Sequence, residues 1–166
     1  MKATEQDLPE RFGTAAPPAG RVLAVDYGRR RIGLAISDEL RITAQPLAVL
    51  SRSNRENDLR RLRELCRKHQ VKKIVVGHPK HLSGAASEMS QEASRFAARL
   101  KKNLGLPVEL LDERLTSWEA AQTVAQTHSP ARRANSLDHL AAALILREFL
   151  DQSRSRDLSP GPGEAR

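Results

Sequence analysis

Between residues 21 and 37 the chain turns from apolar to polar and back to apolar. Val22-Leu-Ala-Val25 rises to Asp26, passes Tyr27, Gly28 and three arginines (Arg29, Arg30, Arg31), and continues as Ile32-Gly33-Leu-Ala-Ile-Ser37. Val22 to Val25 has no alternating polar position, which predicts a strand buried on both faces. The short turn makes the second strand, Ile32 to Ser37, antiparallel to the first. Gln45 to Leu50 predicts a third strand, with Pro46 near its start as an edge strand tolerates. From Asn54 to His69 the period becomes helical, with Leu59, Leu62, Leu65 and Cys66 on one stripe and basic residues over the rest. Lys72 to Gly77 reads as another buried strand. A helix follows from Ser87 to Lys102, with Ala93, Phe96, Ala97 and Leu100 inward, and then a last strand from Leu106 to Leu111. Trp118 to Gln126 predicts a short helix, Thr127 to Arg133 a polar, basic loop around Pro130, and Ser136 to Asp151 the final helix. Hairpin-linked strands followed by strands alternating with helices predict an α/β fold, a mixed sheet covered on both faces.

The flanks lack this periodicity. Residues 1–20 mix Pro, Gly, Ala and charges and read as a disordered extension. Residues 152–166, rich in Ser, Arg, Pro and Gly, read as a disordered tail, which leaves one domain over 21–151. The whole chain of 166 residues has a formal charge of +8. Residues 21–150 hold 23 Lys and Arg against 14 Asp and Glu, so the surplus belongs to the folded part and favours a polyanionic partner, most simply nucleic acid. Aromatic residues are Tyr27, Trp118, Phe12, Phe96 and Phe149, too few for a binder that stacks bases on an aromatic platform. The single cysteine, Cys66, reads as a small buried hydrophobe. Without a signal core or a membrane-length apolar run, the expected location is the cytoplasm, with no membrane partner.

Three carboxylates stand where chemistry could gather. Asp26 ends the first strand and Glu113 follows the last, and in an α/β sheet functional groups collect beyond the carboxyl ends of parallel strands. Asp138 begins the stripe Asp138, Ala142, Ile145, Phe149 on the final helix. Asp26 also suits turn capping, and Asp138 also suits a helix's first turn. Asp112 is weaker, because strand alternation turns it away from Glu113. Three acids without His or Cys suit hard divalent ions, Mg²⁺ or Mn²⁺, and two such ions could activate water against a phosphodiester. The arginines at 29–31 would hold the phosphates. Gly28 is expected to supply a positive-φ turn, and Gly33 a close approach to the second strand.

Val-Asp26-Tyr-Gly28 with Arg-Ile-Gly33, Ile-Val-Val-Gly77-His-Pro79, Asp112-Glu113-Arg114-Leu-Thr116-Ser, and Asp138-His-Leu-Ala-Ala-Ala-Leu-Ile-Leu together resemble the bacterial YqgF (RuvX) family over residues 21–150. The resemblance implies an RNase H-like fold with a mixed five-stranded sheet, its first three strands antiparallel. It further implies a cytoplasmic, metal-dependent nuclease maturing the 5′ end of pre-16S rRNA, with Holliday junction resolution as the older alternative. The family's acidic positions fall on Asp26, Glu113 and Asp138, and Arg114 and Thr116 lie within its strongest motif. The chain departs from the pattern at His78, where the family usually has Leu, at Ser83-Gly84, and at Arg132 and Arg133, which stand further upstream of the last aspartate than the family's basic residues. His78 reads as structural or as a proton carrier. The rivals to a pre-rRNA nuclease are a resolvase on branched DNA, which a stable homodimer would favour over a monomer, a nucleotide-binding ATPase suggested by the Asp26, Gly28, Gly33 spacing, and a non-catalytic RNA-binding assembly factor.

Overall fold

A computed structural model describes residues 19–78, 87–112 and 130–158, and in the last stretch the side chains of 140–157. Five strands form one sheet in the order β3-β2-β1-β4-β5: β1 (Arg21–Tyr27), β2 (Arg31–Ser37), β3 (Ala44–Ser51), β4 (Val71–His78) and β5 (Val108–Asp112). β1 pairs antiparallel with β2 and β2 with β3, whereas β1 and β4, and β4 and β5, are parallel. The mixed sheet and its antiparallel first three strands therefore match the sequence reading. Helices α1 (Arg55–Lys68) and α2 (Glu88–Leu104) cover one face, and α3 (Pro130–Leu158) covers the other.

Alternation along β1 assigns its side chains to two cores. Leu23 and Val25 join Leu62, Cys66, Phe96 and Leu100 on the α1/α2 side. Val22 and Ala24 join Ala142, Ile145, Leu146 and Phe149 on the α3 side. All four β1 residues are fully buried, as the unbroken apolar run requires. Cys66 is buried with them, and desolvation pushes its thiol up to about 11.

Several boundaries differ from the sequence pattern for local reasons. β5 starts at Val108 and not at Leu106, because Pro107 has no N–H; its carbonyl still accepts from Ile74 N at 2.9 Å. β3 takes Pro46 opposite Ala35, where the register shifts, as an edge strand allows. Residues 130–133, expected in a loop, are helical: proline suits a helix's first position, where its missing N–H costs nothing. Residues 152–158, expected in a disordered tail, extend α3. Ser153 Oγ donates to Phe149 O at 2.9 Å and Arg154 Nη2 donates to Ile42 O at 2.7 Å, while Arg156 lies 3.7 Å from Glu109. Those partners lie outside the segment, so its polar composition misleads. Residues 1–18, the predicted helix at 118–126, and Ser83-Gly84 lie outside the described residues.

Candidate functional site

The carboxyl ends of the parallel strands bring Asp26, His78 and Asp112 to one edge of the sheet. Asp26 is the penultimate residue of β1, opposite Gly33 in β2, and the Val25–Val76 register sets it beside Gly77. It is half-buried, and strand alternation gives it the same face as Val22 and Ala24, the face under α3. Leu111 of β5 is on that face too. Asp138 belongs to α3, four residues before Ala142, whose side chain fills the core on Asp26's side of the sheet. Glu113, Arg114 and Thr116 lie outside the described residues, as do the side chains of Arg132, Arg133 and Asp138. Among the described residues no three His, Cys, Asp or Glu gather where they could hold a metal ion.

His78 takes the opposite face. Ile74 and Val76 of β4 point to the α1/α2 core, so His78, two residues further, does as well. Its Nε2 is 3.0 Å from Ser94 Oγ on α2, whose hydroxyl also reaches Ser90 O at 2.9 Å. Asp112 pairs in register with His78 and follows Leu111, so it too leaves the face of Asp26. The contact with Ser94 gives the imidazole a hydrogen-bond partner on α2.

The turn after β1 is built more tightly than its three arginines suggest. Gly28 N donates to Arg31 O at 2.9 Å, and a Cβ at Gly28 would lie 2.5 Å from that same carbonyl oxygen. Glycine is needed here for close approach and not for the positive φ expected, since the positive-φ glycines among the described residues are Gly20 and Gly105. Arg29 meets Glu88 at 3.0 Å and Glu92 at 3.2 Å on α2, Arg30 is exposed, and Arg31 opens β2 opposite Ser51.

Two further residues, Arg52 and Asp58, hold this turn, and sequence reasoning missed them. Arg52 Nη1 donates to the Tyr27 hydroxyl at 2.9 Å and to Gly28 O at 3.2 Å, with its guanidinium 4.8 Å from the Tyr27 ring centroid. Arg52 Nε donates to Asp58 Oδ2 at 3.2 Å, and Asp58 Oδ1 accepts from Ser53 N. Burial works against the Arg52 charge, but the bonds to Asp58 and Tyr27 more than offset it and hold its proton more tightly than usual. The signal was present in the sequence. Asp58 shares a stripe with Leu62 and Cys66 at spacings of four, and an acid on a buried stripe needs a cation.

The geometry places a half-buried carboxylate at the carboxyl edge of a mixed sheet, beside a pinned, basic turn. Comparison with known proteins gives this arrangement a family. Residues 20–152 match the family model described as RuvX, Holliday junction resolvase. A protein of Koribacter versatilis named "Putative pre-16S rRNA nuclease" is 47% identical over 134 residues, covering 80% of this chain and 88% of its own. One of the same name from Opitutus terrae is 44% identical and covers 87% of this chain and 99% of its own. Among solved structures, Thermus thermophilus RuvC in complex with a Holliday junction substrate aligns with a TM-score of 0.53 at 15% identity, covering 81% of this chain and 96% of that one. At that identity the likeness speaks for the RNase H-like fold.

Proposed function

The chain belongs to the RuvX family, and from that membership we propose that it is a metal-dependent nuclease that hydrolyses phosphodiesters of structured nucleic acid, its substrate the 5′ end of pre-16S rRNA. The observation that carries this reading is the position of Asp26. It stands half-buried at the carboxyl end of β1, on the face covered by α3, with the arginine turn immediately after it. The names of the 36–47% identical relatives supply the substrate.

The proposed site adds Glu113, two residues beyond Leu111, and Asp138, one helical turn before Ala142, to Asp26. An all-carboxylate donor set fits Mg²⁺ or Mn²⁺ better than a softer ion. Two such ions, when bound, would supply an activated water and stabilise the leaving oxygen. Asp26 contributes its carboxylate from a strand end fixed by pairing on both sides. The residues around it exclude water from below, where Ala24, Ala35 and Ala142 fill the core. Arg30 and Arg31, with Arg114, Arg132 and Arg133, would hold the phosphates. Arg52 keeps the turn in place while its own charge is met by Asp58.

The alternative is cleavage of branched DNA, favoured by the family model's own description. The test offers 5′-extended pre-16S rRNA and a four-way DNA junction side by side with Mg²⁺ or Mn²⁺, with chelator and Asp26→Asn as controls. RNA trimming that the chelator and the substitution both abolish supports the proposal. Paired symmetric nicks in the junction move the assignment to a resolvase, and a wild-type chain inert on both substrates points to a non-catalytic assembly factor.

A further inference from the structure

On the sheet face opposite Asp26, Tyr27, Arg52, Arg55, Glu92, Arg95 and Arg99 line a cavity of about 290 Å³. Among the described residues four cations and one acid line it, and the acid is already engaged, since Glu92 meets Arg29 at 3.2 Å. Arg52 is engaged as well, by Asp58 and the Tyr27 hydroxyl. The remaining three are different. Among the described residues, no carboxylate forms an ion pair with Arg55, Arg95 or Arg99.

Helix stability does not account for these three positions. Arg55 is the first residue of α1, directly after the Asn54 cap, where the positive end of the helix disfavours a cation and favours an anion. Arg95 and Arg99 are four residues apart on α2, a spacing at which like charges repel. An anion in the cavity would relieve both conflicts. Among the described residues its one aromatic wall is Tyr27, already covered by Arg52 and set 4.8 Å from the Phe96 ring, which leaves no open face for a base. A phosphate group fits this chemistry where a nucleoside does not.

The geometry points to a binding site for a backbone phosphodiester outside the scissile bond, held by Arg55, Arg95 and Arg99. Tyr27 follows Asp26 directly in β1, so a strand crossing the arginine turn from the α3 face would reach the cavity within a few nucleotides. The three arginines touch that flanking phosphate and not the reacting one, so they set affinity and register. This assignment rests on the nuclease reading of Asp26, and the two can be separated by experiment.

The decisive measurement is binding of the RNA substrate to the full chain carrying Asp26→Asn, with and without Arg95→Gln and Arg99→Gln, over a series of salt concentrations. The expected loss is on the order of tenfold to a hundredfold in affinity, with the salt slope shallower by about two. In the cleaving chain the same pair raises KM and leaves kcat unchanged; Arg55→Gln acts in the same direction. Replacing single flanking phosphates with methylphosphonates weakens binding at one position in the parent and not in the Arg95/Arg99 variant. These side chains are exposed or half-buried, so the variants fold. Wild-type cleavage with unaltered variant binding and salt slope overturns the cavity assignment and leaves the nuclease reading. A wild-type chain that cleaves nothing, with binding still lost in the variant, overturns the nuclease reading and leaves the cavity.

Discussion

Arg52 Nε lies 3.2 Å from Asp58 Oδ2, and this contact ties the chain just after β3 to the first turn of α1. Asp58 is 2% exposed, so the pair is buried on the acid's side, and Arg52 Nη1 reaches on to Tyr27 and Gly28. A half-buried guanidinium that binds both an acid and a turn makes the turn's position a property of the helix. Asp58→Ala should therefore act twice. Removing one partner of a buried pair leaves the other uncompensated, and with Arg52 partly open to solvent the expected cost is about 2–3 kcal/mol. Urea unfolding measures that loss, while hydrogen exchange at Gly28 and Arg52, whose N–H groups donate to Arg31 O and Arg30 O, should rise as the turn loosens. Unchanged exchange with lowered stability would detach the turn from the pair.

Gly28 makes the second prediction. A methyl group there would meet the Arg31 carbonyl oxygen at 2.5 Å, and that oxygen also accepts the Gly28 N–H. The obstacle is backbone, so the turn itself must move. Gly28→Ala is expected to cost about 1–3 kcal/mol, the usual range for overpacking. Chemical denaturation checks the magnitude. If the turn positions Asp26, cleavage should fall by more than the lost stability explains at a temperature where the variant is fully folded.

The parts of this architecture that were legible in the sequence are those set by local pattern. The unbroken apolar runs of β1 and β4 announce central strands, and the step from Val25 to Asp26 marks where the sheet edge begins. Non-local partners explain the rest. The end of α3 looks disordered by composition because its anchors, Ile42 and Glu109, come from other elements. Arg52 looks like one more surface cation because Tyr27 is 25 residues away. His78 gives no hint of its face, since a strand buried on both sides has no alternation to read.

The third prediction concerns pH. Asp38 Oδ1 accepts from Ile42 N at 2.6 Å and Thr43 N at 2.8 Å, closing the turn between β2 and β3. The hydrogen bond from Thr43 N leads in holding its carboxyl below the ordinary value. A depressed folded-state pKa means stability that is present above the ordinary carboxylate pKa and lost as pH falls through the folded one. The group is largely exposed, so solvent screening keeps the contribution to about 1 kcal/mol or less. Asp38→Ala should lower stability by that amount at neutral pH and flatten its decline below about pH 4. Denaturation midpoints of both chains from pH 3 to 7 test it, and parallel curves would remove Asp38 from the acid response.

His78 provides the last prediction, because the sheet stands between it and Asp26. Its imidazole is held at 3.0 Å from Ser94 on α2, while Asp26 faces α3. A histidine acting as general acid or base typically contributes about 10²–10⁴ in rate, and it must reach the reacting group to do so. The Ser94 contact directs the ring toward α2. His78→Gln, which keeps a polar group for Ser94, should retain cleavage within about threefold of wild type and leave the alkaline and acid limbs of the pH–rate profile where they were. Asp26→Asn, at the proposed metal site, should instead remove turnover. A hundredfold loss in His78→Gln, or a limb of the profile that disappears with it, would bring the imidazole into the chemistry and would require the scissile phosphate to lie on the α2 side of the sheet.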